Sequence, residues 1–130
     1  MNSIVLKKSE DLALIEEFIN RVVNKHPELE KKNSYLSIIC DEIISNIFNN
    51  NETSVTIEIK LELVNNEVSL NFIDNGKLFD PTHYEPSAIT DGDIERPIGG
   101  LGISIVKKIA DAVYYKTVEE KNHLTIKITV

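Results

Sequence analysis

The sequence has one cysteine, no tryptophan and only 6% aromatic residues in 130 positions. A lone Cys40 excludes an intrachain disulfide and a cysteine-built zinc cage. His26, His83 and His123 stand far apart, with no second His at helical spacing, which argues against histidine-based metal catalysis. Positive charge is in deficit: 14 Lys and Arg face 21 Asp and Glu, leaving a net charge of −7. Such a chain lacks the basic stripe that nucleic acid demands and the polybasic anchor that binds a membrane surface. No apolar run approaches the roughly 18 residues of a spanning helix, and Met1–Leu6 has no long apolar core of a signal peptide. Internal repeats, low-complexity tracts and Gly/Ser linkers are missing as well. The expectation is one acidic, soluble, cytoplasmic domain over residues 1–130, with no direct nucleic-acid or membrane partner.

Apolar residues make up 42% of the chain, enough to fill a core without disulfides. A short strand is expected at Ser3–Lys7. Ser9 reads as the N-cap of a first helix, with Glu10 and Asp11 in its first turn and a stop at His26-Pro27. Leu36, Ile39, Ile43, Ile44 and Ile47 give a second helix, from about Lys32 to Phe48, its core-facing stripe. Val55–Val64 alternates cleanly between apolar and polar residues. It returns through Asn65-Asn66 to Glu67–Ile73, which predicts a hairpin with one buried face. Asn75–Ile98 has no clear period and holds three of the four prolines; a loop of that length is usually functional. Gly99–Gly102 then opens a third helix, Ile103–Ala110, and strands Val113–Val118 and Leu124–Val130 pair around Glu119–Asn122. The predicted fold is α/β: a two-layer sandwich whose mixed, mostly antiparallel sheet carries helices on one face.

Three groups of residues carry chemistry. Glu42, Asn46, Asn49 and Asn50 form a polar stripe beside the apolar one on the second helix. A lone Glu/Asn pair is more often a solvated face, but a carboxylate and an amide oxygen one turn apart can also hold a hard cation with a phosphate. Asp74-Asn75-Gly76 follows an apolar strand. It is either a tight turn or a strand-end carboxylate aimed into a pocket, where it accepts from an exocyclic amine while Gly76 lets a ring approach. Gly99-Gly100-Leu101-Gly102 stands at a helix start, where free backbone N–H groups favour an anion; the bland alternative is a hinge. It matches neither a Walker loop nor a dinucleotide fingerprint. Each group is weak alone. Their order is specific, because together they supply metal, base and phosphate contacts for one nucleotide.

In that order the chain resembles the ATP-binding domain shared by gyrase, mismatch-repair, chaperone and histidine-kinase ATPases. Within it the chain is similar to the small bacterial anti-sigma factor serine/threonine kinases. Asp41-Glu42-Ile43-Ile44-Ser45-Asn46 resembles the N-box, and Asp74 through Pro81 the first glycine box. Gly99 through Ile103, with Val106-Lys107-Lys108 and Asp111, resembles the second. The resemblance implies ATP and Mg²⁺ as cofactors, with Asn46 as the metal ligand and Glu42 as the catalytic base. Asp74 would read the adenine amine and Gly76 line the base, with Thr125 supporting Asp74 through water. Asn50, Gly99, Gly100, Leu101, Gly102 and Ile103 would complete the nucleotide contacts, Gly100 and Gly102 at the phosphates. Asp80–Ile98 would be the ATP lid. Two departures stand out: Leu78 occupies a common glycine position, and Asn50-Asn51 replaces a common His-Gly. The implied partners are an anti-sigma-factor antagonist of the STAS type and a sigma factor, and a homodimer is compatible. A different class stays open beside the kinase: a nucleotide-gated module that sequesters a protein without phosphotransfer.

Overall fold

Strict alternation makes each strand half apolar, so the sheet has one face that must be covered. The computed structural model, which describes residues 2–83 and 100–130, shows how. Five strands, β1 (Asn2–Leu6), β2 (Ile57–Val64), β3 (Glu67–Asp74), β4 (Ala112–Val118) and β5 (Lys121–Thr129), lie in the order β1-β2-β3-β5-β4. Three α-helices, α1 (Ile15–Lys25), α2 (Asn33–Asn49) and α3 (Gly100–Ile109), cover the apolar face. This is the expected two-layer α/β sandwich, and every described strand pairing is antiparallel. The connections explain why. With α1 and α2 between β1 and β2 the chain direction reverses three times, an odd number, which makes that pair antiparallel. β3 and β4, with α3 the α-helix described between them, are not neighbours, because β5 inserts between them.

α2 is the centre of the helical layer and packs on both α1 and α3. Ile39, Ile43 and Ile44 of α2, Ile19 of α1 and Val106 of α3 meet Ile59, Leu70, Phe72 and Ile126 of the sheet, all essentially buried. Each such side chain contributes about 1.5–3 kcal/mol of burial free energy. Cys40 is part of this core, and burial, aided by Asp41, pushes its thiol pKa up to about 12, so it is inert.

Two local details differ from the sequence reading. The segment expected to open the first helix is a separate 3-10 helix, Ser9–Leu14. Ser9 is not its cap. Its hydroxyl donates to Glu10, while Asp11 Oδ2 accepts from the backbone of Lys7 at 2.9 Å and Lys8 at 3.2 Å. A carboxylate in the first turn suits the free N–H groups and the helix dipole there. The last hairpin also differs. Its turn is only Glu119-Glu120, at φ of 51° and 65°, the values seen at Asn65 and Asn66. Lys121 and Asn122 therefore belong to β5.

That shift in β5 matters because Asp74 and Asn122 are the buried polar or charged residues among those described, and they face each other in register. An apolar core tolerates such a pair when its hydrogen bonds are made.

Candidate functional site

A cleft opens where the end of α2 meets the end of β3, the start of β5 and Tyr115 of β4. Ile43, Asn46, Ile47, Asn50 and Asn51 line it from the helix, and Asp74, Lys77, Phe79 and Pro81 from β3 and beyond. Tyr115, Asn122 and Leu124 close it from the other strands.

Asp74 ends β3 on the core face and is 5% exposed. Its Oδ1 accepts from Gly76 N and from Asn122 Nδ2, both at 2.9 Å. Oδ2 makes no hydrogen bond with the described residues, which leaves one carboxylate oxygen for a ligand. Burial raises the carboxyl pKa, opposed by the Asn122 and Gly76 hydrogen bonds.

Asn122 holds more than Asp74. Nδ2 also donates to Lys77 O at 3.0 Å, and Oδ1 accepts from Phe79 N at 3.1 Å and from the Tyr115 hydroxyl. A backbone N–H can only donate and a carbonyl only accept, so these partners fix which way the amide faces. Burial, with the Asp80 carboxylate next in effect, pushes the Tyr115 phenol pKa up and keeps it a donor.

Asn51 grips the same loop from the helix side. Its Nδ2 donates to Ile47 O at 2.6 Å and its Oδ1 accepts from Lys77 N at 2.8 Å. A Cβ on Gly76 would lie 2.6 Å from Asn51 Oδ1, so it is this amide that occupies the space above Gly76. Close packing against Asn51 is thus one requirement for the missing side chain at Gly76.

Asn46 projects into the cleft from α2, and its Oδ1 is buried with no hydrogen-bond partner among the described residues. Leaving such an oxygen unsatisfied costs about 1–3 kcal/mol. A hard amide oxygen fits Mg²⁺. Among the described residues no cluster of three His, Cys, Asp or Glu could hold a metal.

The other expected site residues are placed as follows. Asn50 lines the cleft. Glu42 is half-buried one turn before Asn46, outside the cleft lining. Gly100, Leu101 and Gly102 form the first turn of α3, and Ile103 is in the core. Gly99 and the part of the expected lid from Tyr84 on lie outside the described residues. Thr125 is not beside Asp74. It pairs in register with Asn71, and its hydroxyl donates to Asn71 Oδ1 at 2.6 Å on the opposite face of the sheet. Asn122 occupies the supporting position instead. The sequence reading missed Asn122, Asn51 and Tyr115. Their signal is modest: an isolated Asn two residues before an alternating apolar run, and a second Asn after the polar stripe.

The cleft thus brings together the Asn46 amide oxygen, which has no partner among the described residues, and the strand-end carboxylate of Asp74, in a two-layer α/β sandwich. The chain belongs to the histidine kinase-like ATPase domain family, whose model matches residues 6–128. It is similar to the serine/threonine-protein kinase BtrW of Bordetella bronchiseptica, at 32% identity over 95 residues, covering 70% of this chain. That match spans 66% of the relative's length. No helix among the described residues is long and apolar enough to cross a membrane.

Proposed function

We propose that this chain is an anti-sigma regulatory factor with ATP-dependent serine kinase activity. It phosphorylates a seryl hydroxyl on a STAS-type antagonist and sequesters a sigma factor. The observation that carries the reading is the presence, in one cleft, of a buried amide oxygen and a buried carboxylate oxygen that make no hydrogen bond with the described residues. Asp74 Oδ2 would accept from the adenine amine, and Asn46 Oδ1 would hold Mg²⁺. Bound there, the ion would neutralise charge on the phosphates. Backbone N–H groups at the α3 start, Gly100–Gly102, favour an anion. Glu42 would hold the incoming hydroxyl and accept its proton. The family match supports the ATPase part, the name of the Bordetella relative supports the kinase part, and the sequence resemblance supports the anti-sigma part.

A second reading draws on the placement of Glu42 outside the cleft lining: a nucleotide-gated module that binds its partner without phosphotransfer. One experiment separates the two. The protein is incubated with Mg²⁺, γ-labelled ATP and the antagonist encoded beside its gene. Labelled antagonist is the expected result. ATP binding and sigma-factor binding without label would establish the binding module, and failure to bind ATP would remove both readings.

A further inference from the structure

We propose that Asn122 is a positioning residue that sets nucleobase choice by holding Asp74 so that Oδ2 faces an exocyclic amine. The proposal rests on the reading that ATP binds base-first against Asp74.

Asp74 sits at the end of a strand, where a carboxylate is free to rotate unless something outside its own loop holds it. The Gly76 N–H bond is local, two residues away in a turn that Asn51 and Thr56 hold, and by itself it fixes only one contact of the carboxylate. Asn122 lies 48 residues away on the neighbouring strand, and its 2.9 Å bond to Oδ1 ties the carboxylate itself to β5. With Gly76 and Asn122 both on Oδ1, that oxygen has two donors and the other remains for the ligand.

Asn122 is itself held. Both of its Nδ2 hydrogens and its Oδ1 are engaged, and the Tyr115 hydroxyl anchors it to the edge strand β4. Through Lys77 O and Phe79 N the same amide grips the rim of the cleft, while Asn51 takes Lys77 N from the helix side. Carboxylate and rim therefore move as one body. Prearranged acceptors of this kind discriminate strongly, because the wrong base leaves a buried polar group unpaired.

The test is calorimetry of wild type, Asn122→Ala and Tyr115→Phe with two Mg²⁺-nucleotides: ATP and the triphosphate of purine riboside, which lacks the amine. Wild type is expected to prefer ATP by about tenfold or more. Asn122→Ala should lose most of that preference, weakening ATP about tenfold while the amine-free analogue changes by less than about twofold. Tyr115→Phe should reduce the preference in the same direction and by less. Equal weakening of both nucleotides by Asn122→Ala would make the residue merely structural and overturn the proposal; so would an unchanged preference. If Asn122→Ala shows no cooperative melt, Tyr115→Phe decides, and an undiminished preference there overturns the proposal. A wild type that binds ATP without preferring it to the analogue would instead overturn the reading of the base site.

Discussion

Replacing Asp74 by Asn tests the base site with almost no change of shape. Gly76 N–H and Asn122 Nδ2 both donate to Oδ1. In the variant only the amide oxygen can take that place, so the new NH₂ must occupy the ligand-facing position. An amine on the base then meets a donor instead of a charged acceptor. A hydrogen bond to a charged group is worth about 1.5–3 kcal/mol, which converts to about a tenfold to hundredfold loss of ATP affinity. The guanine carbonyl oxygen, repelled by the carboxylate, is accepted by the amide, so the ATP-to-GTP preference narrows or inverts. Stability moves the other way. Burial raises the Asp74 pKa, so its protonated form fits the empty fold better than its charged form. Its favourable contribution is complete below the ordinary carboxylate range and is lost as pH rises through the raised pKa. The variant lacks that loss. Its denaturation midpoint should match wild type in acid and exceed it at neutral pH. Titration calorimetry with both nucleotides and urea melts across pH check the two halves. Unchanged ATP affinity would refute the base assignment, and a variant less stable at neutral pH would refute the burial argument.

Three further outcomes are expected. Glu42→Gln should keep its melting temperature and Mg-ATP affinity while single-turnover phosphorylation falls by about 10²–10⁴; a loss of affinity instead would make Glu42 a ligand. Gly76→Ala puts a Cβ 2.6 Å from an Asn51 amide that two hydrogen bonds pin. It should cost about 1–3 kcal/mol in urea denaturation, and less in an Asn51→Ala background, since the clash is with that side chain. Glu119→Asn with Glu120→Gly should raise stability by about 1 kcal/mol or more, because non-glycine residues pay for the left-handed conformation both positions adopt; an unchanged melting temperature would show the turn to be unstrained.

The sheet and helices were legible because period and burial agree: Ile57, Ile59 and Leu61 alternate inward as their sequence alternates. Asp74 was legible because a carboxylate ending an apolar strand before Asn-Gly is unusual. Asn122 was hidden by its neighbours. Two glutamates do not announce a tight turn, so the residues after them read as loop. The Thr125 assignment failed for a related reason. Thr125 and Asn122 are three apart on one strand, an odd spacing, and odd spacings put side chains on opposite faces. Asn51 was hidden because its role is contact with a distant glycine, which no local pattern encodes.

The two hairpin turns share a geometry but not a composition, and this gives the chain an order of assembly. Asn65-Asn66 enters the left-handed region readily, so β2 and β3 can pair early through a local, low-entropy closure. Glu119-Glu120 resists the same conformation, so β4 and β5 gain their pairing mainly once β3 is there to receive them. The β3–β5 seam joins Asp74 to Asn122 inside the sheet. In kinetic terms, easing the second turn should act on the folding rate only if the seam is already present in the transition state, and otherwise slow unfolding alone. A nucleotide bound at that seam would stabilise the folded state over the unfolded one, coupling occupancy of the cleft to the stability of the sheet.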